Sequence, residues 1–310
     1  MPLIIKLPKN KLYLKNQGPY KSHLNVLDRK QTAVQRQLRR GGLGSFERDF
    51  QASLLALCET TMAPLSFYDI GAHIGLYSAL IATIFHKQSP QIVAFEPTPD
   101  TFAQTINLRD KNALEYEVLQ SAISDSCGTV DLYISGKAET SNSLNASFRN
   151  SDEAVQVPVV TIDQLVKEGL AAPTIMKIDV ETFEANVLRG ALETIKAHKP
   201  IFTLEILSKV ERQPMQDVLG QIGALGYVFY RVEKRNKHWV KSSADEVMAK
   251  TSSAKPDWIC VHDDLPSGFL AARTRWKNRL TECTEATNAL VPGGQAIPEK
   301  YLGSYGPSKG

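Results

Sequence analysis

Two hydrophobic rhythms alternate along this chain. From Phe46 to Leu57, FERDFQASLLAL sets apolar residues at helical spacing, and the run SFYDIG after it is a short apolar stretch that ends at a glycine. A helix and then a strand are expected. LYSALIATIF is again apolar at helical spacing, QIVAFEP reads as a buried strand, and TPDTFAQTINLRDKN as a helix with Thr98 as its candidate cap. YEVLQSAI and VDLYIS read as strands, and VQVPVVTIDQL as a strand followed by a helix.

TIMKIDV, the helix ETFEANVLRGALETIKAH and the strand PIFTLEIL repeat the unit, and GYVFYRVE, KHWVKS and DWICVH read as strands near the far edge of a sheet. Strands alternating with helices predict an α/β fold with a mostly parallel sheet covered on both faces. Short strands without strict polar alternation agree with that, because both of their faces are buried.

The pattern divides the chain into a basic N-terminal arm (1–45), a main domain (46–265) and a C-terminal tail (266–310) that is partly irregular, rich in Gly and Pro at its end. GKAETSNSLNASFRNSDE, residues 136–153, is polar and marks an exposed loop. Composition adds bounds. With 310 residues, 43% hydrophobic, 22% charged and a net charge of +3, the chain is long enough to bury a sizeable core. No apolar run approaches the ~20 residues of a membrane span, and lysines and a proline break the N-terminal stretch before a signal-like region develops, so a cytoplasmic protein is expected.

The cysteines Cys58, Cys127, Cys260 and Cys283 are scattered without metal-ligand spacing, which predicts free thiols. Residues 1–40 hold ten Lys or Arg against the single acid Asp28. Such an arm attracts anionic partners or is simply solvated, and it lacks the interleaved aromatics of a nucleic-acid platform.

The chemistry gathers at FYDIGAHIGLYS, Phe67 to Ser78. A strand that ends in Asp-x-Gly and runs into a helix lets a ligand approach the backbone beside a helix N-terminus. A dinucleotide fingerprint fails here, because His73 and Leu76 stand where it requires glycines. Asp69 at the strand end would repel a pyrophosphate and favour a sulfonium or ammonium group. Glu96, at the end of the next strand, suits two ribose hydroxyls. A cofactor with a ribose, a cationic amino-acid portion and no phosphates meets these conditions, and S-adenosylmethionine is one. Taken singly, Asp69 also reads as an N-cap of the next helix and Glu96 as a surface acid before Pro97.

Together with VAFEPTPDTF, SAISDSCGTVDLYI and KIDVETFEANVLRGA, this stretch resembles the FkbM family of S-adenosylmethionine-dependent methyltransferases over roughly Phe46 to His262. The sequence departs from the family's pattern at Thr182, where glycine is usual. The resemblance implies a class I (Rossmann-like) methyltransferase fold with an antiparallel edge. It implies Asp69, Gly71, Ala72, His73 and Gly75 around the methionine end of the cofactor, Glu96 at the ribose, and Ala122 with Ile123 near the adenine. Family members are generally O-methyltransferases of sugars and other natural-product hydroxyls, which makes a small-molecule or carbohydrate acceptor the expected partner.

A hydroxyl is a poor nucleophile until its proton is taken. TIMKIDV delivers Asp179 and then Glu181 to the crevice at the strand ends, as candidates for base or acceptor contact. Lys177, two residues earlier on the same strand face, could pair with Asp179 or Glu205, which would lower the carboxylate pKa and favour positioning over strong basicity. His73 is a candidate base or a packed histidine. Asp179 and Glu205 could hold Mg²⁺, but no third ligand is evident and metal dependence is not the expectation. Two other functions remain open: an RNA methyltransferase recruited by the basic arm, and a non-catalytic module on the same fold.

Overall fold

The computed structural model describes residues 3–6, 23–26, 32–133, 154–235, 239–251, 256–284 and 286–288. Strands β1 (Leu3–Lys6) and β2 (His23–Val26) precede helix α1 (Ala33–Gly41), a short turn of helix at Leu43–Ser45, and helix α2 (Arg48–Thr60). The nucleotide-binding type of unit follows as β3 (Ser66–Ile70), α3 (Leu76–Ile84), β4 (Gln91–Phe95), α4 (Pro99–Lys111) and β5 (Glu117–Leu119). Then come β6 (Ala122–Ile123), β7 (Gly128–Tyr133), β8 (Ala154–Val160), α5 (Ile162–Lys167), β9 (Ile175–Ile178), α6 (Glu184–Arg189), α7 (Leu192–His198) and β10 (Ile201–Glu205). The chain continues through α8 (Arg212–Ala224), β11 (Tyr227–Arg231), β12 (Lys241–Ser242), α9 (Ala244–Lys250), β13 (Asp257–His262), α10 (Phe269–Thr281) and β14 (Ala286–Asn288).

Eight strands form the central sheet in the order β12-β11-β13-β10-β9-β3-β4-β5. β10, β9, β3, β4 and β5 pair in parallel, while β13 runs antiparallel to both β10 and β11. The expected mostly parallel sheet with an antiparallel edge is therefore present. β3 lies between β4, which follows it in the chain, and β9, which comes a hundred residues later. The connections leave β3 in opposite directions and open a crevice at the carboxyl ends of β3 and β9, where open α/β sheets bind ligands. One apolar layer packs under α2, α3 and α10, and a second lies under α6, α7 and α8.

Several sequence-based expectations change in detail. VDLYIS and VQVPVV stay out of the central sheet: β8 pairs with β7 on one side and with β6 on the other in a separate three-stranded sheet. The helix expected from 181 to 198 is two helices. Gly190, between them, packs so near the end of β6 that a Cβ there would stand 1.9 Å from the Ser124 carbonyl oxygen. The basic arm holds α1 near its end, capped by a reciprocal Thr32/Gln35 box, and the C-terminal segment holds the thirteen-residue helix α10 packed on α2. The whole of the polar loop at 136–153, and much of the arm and tail, lie outside the described residues. The four cysteines are free, as expected.

Candidate functional site

At the carboxyl ends of β3, β4 and β9 a cleft of about 350 Å³ opens, within the range of small-molecule sites. Its walls come from the glycine turn after β3, the ends of β4 and β9, β6, and the N-terminal residues Val34, Gln37 and Glu47.

The turn is built from residues 70–75. The amides of Gly71 and Ala72 both donate to the Phe95 carbonyl at 3.0 Å, tying the turn to the end of β4. Gly71 has φ +77°, and a Cβ there would lie 1.8 Å from the Asp179 carbonyl oxygen, so glycine is required both by the backbone and by the neighbouring strand. Gly71, Ala72 and His73 line the cleft. Gly75 packs behind it against Thr105 of α4 and starts α3.

Asp69 is placed differently from the sequence-based expectation. It is fully buried and does not face the crevice. Its Oδ2 accepts from the Ser78 amide at 3.1 Å and hydroxyl at 2.7 Å, and Lys177 Nζ is 3.5 Å from its Oδ1. The carboxylate thus holds the first turn of α3 and a buried ammonium, while the N-cap position of α3 is Gly75.

Glu96 does line the cleft, and the chain's own donors already hold it. Oε2 accepts from the His73 amide at 2.7 Å, and Oε1 accepts from the Thr98 amide at 2.9 Å and the Thr101 hydroxyl at 2.7 Å. Burial raises its pKa, and these donors work in the opposite direction. Ala122 and Ile123 form the apolar wall next to it.

Lys177 is the electrostatic centre. Its Nζ is 3.2 Å from Asp179 Oδ2, donates to the Gly71 carbonyl at 3.1 Å, and lies 5.5 Å from the centre of the Tyr77 ring. Burial alone would lower its pKa, but Asp179 and Asp69 outweigh that and raise it, so the ammonium stays charged. Asp179 and Glu205, on neighbouring parallel strands, are hydrogen bonded to each other. Burial pushes Asp179 up, but the Lys177 charge and the Glu205 hydrogen bond prevail and its pKa falls. Glu205 is driven the other way, up to about 11, by burial and by the Asp179 charge. The two shifts oppose each other, Asp179 toward the ionised and Glu205 toward the protonated form, and the pair titrates as a unit.

Burial lowers His73 to about 4, so its imidazole is neutral, and Nε2 has no partner among the described residues. Glu181 lines the cleft beside Asp179. Among the described residues no group of three or more His, Cys, Asp or Glu side chains converges as metal ligands do. In the Asp179–Glu205 pair the Lys177 ammonium already stands 3.2 Å from Asp179 Oδ2, in the position a cation would take there.

Some contributors were not anticipated from sequence. Glu47, the residue before α2, has φ +37° and accepts the Tyr77 hydroxyl on the cleft wall. Asp257, opposite Glu205 in the β10–β13 ladder, is raised to about 8 by burial and by Glu47 and Asp179. The Thr32-x-x-Gln35 capping signature marks α1, and with it the Val34 and Gln37 wall, within the sequence. Nothing local marks Glu47.

Comparison with known proteins places this geometry. Residues 69–229, just over half of the chain, match the Methyltransferase FkbM domain. The chain is 27% identical over 132 residues to the hexuronic acid methyltransferase AglP of Haloferax volcanii, covering 42% of this chain and 51% of that protein. It is 27% identical over 154 residues to the 31-O-demethyl-FK506 methyltransferase FkbM of Streptomyces tacrolimicus, covering 40% of this chain and 58% of that one. The similarity thus spans about half the length of these relatives. A crystal structure of methyltransferase FkbM from Methylobacillus flagellatus KT superposes with a TM-score of 0.42 at 17% identity, covering 67% of this chain and 47% of that one. No described helix is long and apolar enough to cross a membrane. With the family match spanning the glycine turn, Glu96, Lys177, Asp179 and Glu205, the chain belongs to the FkbM methyltransferase domain family.

Proposed function

We propose that this protein is an S-adenosylmethionine-dependent O-methyltransferase that methylates a hydroxyl of a sugar or other natural-product acceptor. The observation that carries the reading is the meeting, in one cleft at the switch point of the sheet, of the glycine turn, Glu96 and the Asp179–Glu205 pair. The residues present fit the cofactor: the cleft has the volume of a small-molecule site, an acid at the end of β4, and apolar side chains at Ala122 and Ile123. Glu96 would hold the ribose, Ala122 and Ile123 the adenine, and the amino-acid portion would lie by Gly71, Ala72 and His73. When bound, the cofactor supplies a methyl carbon already activated by its sulfonium.

The chain's own part is alignment and the handling of one proton. Asp179, kept ionised by Lys177, accepts a hydrogen bond from the acceptor hydroxyl and fixes the direction of its lone pair. Its low pKa makes it a weak base, so it takes the proton late, as bond formation builds positive charge on the hydroxyl oxygen and acidifies its proton. Glu205 steadies the ionised Asp179 by donating to it. The Gln37 and Glu47 wall covers the acceptor side.

Titration calorimetry with S-adenosylhomocysteine, with NAD as control and Glu96→Ala beside the wild type, tests the reading. Micromolar binding of S-adenosylhomocysteine alone, weakened by about tenfold or more without the charged acceptor, is expected. A wild type that binds neither ligand leaves a scaffold with no cofactor and overturns it.

A further inference from the structure

We propose that Glu184 is a positioning residue that clamps the turn carrying Asp179 and Glu181 into the cleft, an inference that rests on the methyl-transfer reading of that cleft. Five residues, 179–183, join the end of β9 to the start of α6. At their head the turn is keyed to the glycine loop: the Asp179 amide donates to the Ile70 carbonyl at 3.1 Å, and the Asp179 carbonyl fills the space a Gly71 side chain would need. At their foot the backbone takes an unfavourable path. Glu181 has φ +53° and Thr182 has φ +78°, two successive left-handed residues, neither of them glycine and the second β-branched. Such a path persists only where the surroundings over-determine it.

Glu184 supplies that determination. It is fully buried, and its Oε1 accepts from the Val180 amide at 3.3 Å and from the Thr182 amide at 3.1 Å, so one carboxylate oxygen gathers the residue before the left-handed pair and the pair's second member. Its Oε2 has no hydrogen-bond partner among the described residues, and neither does the Thr182 hydroxyl. A residue there only to fill the core would not leave a carboxylate oxygen buried and unpaired, at a cost that apolar side chains avoid. With the head fixed on β3 and the foot fixed by Glu184, the side chains of Asp179, Val180 and Glu181 reach the cleft from a rigid frame.

The test reads the cleft carboxyls directly, with no acceptor needed. Carboxyl ¹³C NMR follows the titration of Asp179 and Glu205 in the wild type, Glu184→Gln, Glu184→Ala and Glu184→Asp, with S-adenosylhomocysteine affinity measured on the same samples. Glu184→Gln, which keeps the accepting oxygen, is expected to retain the wild-type Asp179 titration. Glu184→Ala is expected to let the turn relax away from Lys177, moving the Asp179 titration up by about one pH unit or more. Should the alanine variant not fold, Glu184→Asp, which withdraws the oxygen by one methylene, carries the same expectation. Wild-type Asp179 titration in a folded Glu184→Ala or Glu184→Asp protein overturns the proposal and reduces Glu184 to a structural residue. Loss of the wild-type titration in Glu184→Gln also overturns it. A wild type that fails to bind S-adenosylhomocysteine counts against the methyltransferase reading, while the titrations still decide the clamp.

Discussion

Lys177 and Asp69 form an ion pair inside the sheet: Nζ stands 3.5 Å from Oδ1, and the two side chains are 4% and 0% exposed. Neither charge has water to fall back on. Removing one partner of a buried pair leaves the other uncompensated, at about 3–5 kcal/mol. Lys177→Met is therefore expected to lose stability on that scale in urea unfolding, and Lys177→Met with Asp69→Asn to recover part of it. A loss under about 1 kcal/mol for the single variant would show that Ser78 alone sustains the Asp69 charge.

Gly71→Ala should damage both the fold and cofactor binding. A left-handed φ costs an L residue about 1–2 kcal/mol, and here the new methyl also meets the Asp179 carbonyl at 1.8 Å. The strand end carrying Asp179 must shift, so S-adenosylhomocysteine affinity is expected to fall by about tenfold or more, as misplaced contacts do. Gly169→Ala is the control: φ is +103° but nothing lies within 4 Å, so only the backbone cost applies and calorimetric binding stays unchanged.

Much of this arrangement is legible in the sequence. Short apolar runs broken by helical periodicity give the parallel sheet and place Gly71, Glu96 and Asp179 at strand ends, whereas the pairing of β3 with the much later β9 is set by the sheet order and not by the chain order. Where side chains point is less legible. Asp69 and Glu96 both end strands, yet one turns inward to Ser78 and Lys177 and the other borders the cleft, a difference set by which donors the fold brings near. Glu47 and Asp257 belong to the site only through tertiary placement, from α2 and from the antiparallel strand β13. Helices α1 and α9 carry capping boxes, Thr32/Gln35 and Ser243/Glu246, that the hydrophobic rhythm alone does not disclose.

Glu205 makes stability depend on pH in a defined direction. A carboxyl raised from 4.5 to about 11 binds its proton more tightly folded than unfolded. Its contribution is complete below pH 4.5 and drains away as pH rises toward 11. Asp179, lowered by Lys177, acts oppositely, its contribution present above the ordinary carboxylate range and lost as pH falls. Urea midpoints at pH 5, 7 and 9 should therefore decline in the wild type and decline less in Glu205→Gln. Asp257 and Glu184, raised to about 8 and about 7, keep some slope at the lower end of that window. Equal slopes in both proteins would mean that Glu205 is not protonated in the folded state.

The C-terminal helix α10 tests how far the folded unit extends past residue 265. Its Trp276 is fully buried, with its ring 6.1 Å from that of Phe85, and Arg273 donates to the Ser53 hydroxyl at 2.9 Å and to Asp49 at 3.1 Å on α2. The Trp276 indole N–H has no partner among the described residues, so Trp276→Ala removes packing without breaking a hydrogen bond there, at about 3–5 kcal/mol. Leu270→Ala, at a position 39% exposed on the same helix, should stay within about 0.5 kcal/mol. Because the contacts of Arg273 on α2 go to Asp49 and Ser53, Trp276→Ala is expected to lower the melting temperature while leaving S-adenosylhomocysteine affinity within about twofold at temperatures where it remains folded. A tenfold loss of affinity in the folded variant would instead mean that the packing of α2 on α10 is transmitted to the cleft through Glu47.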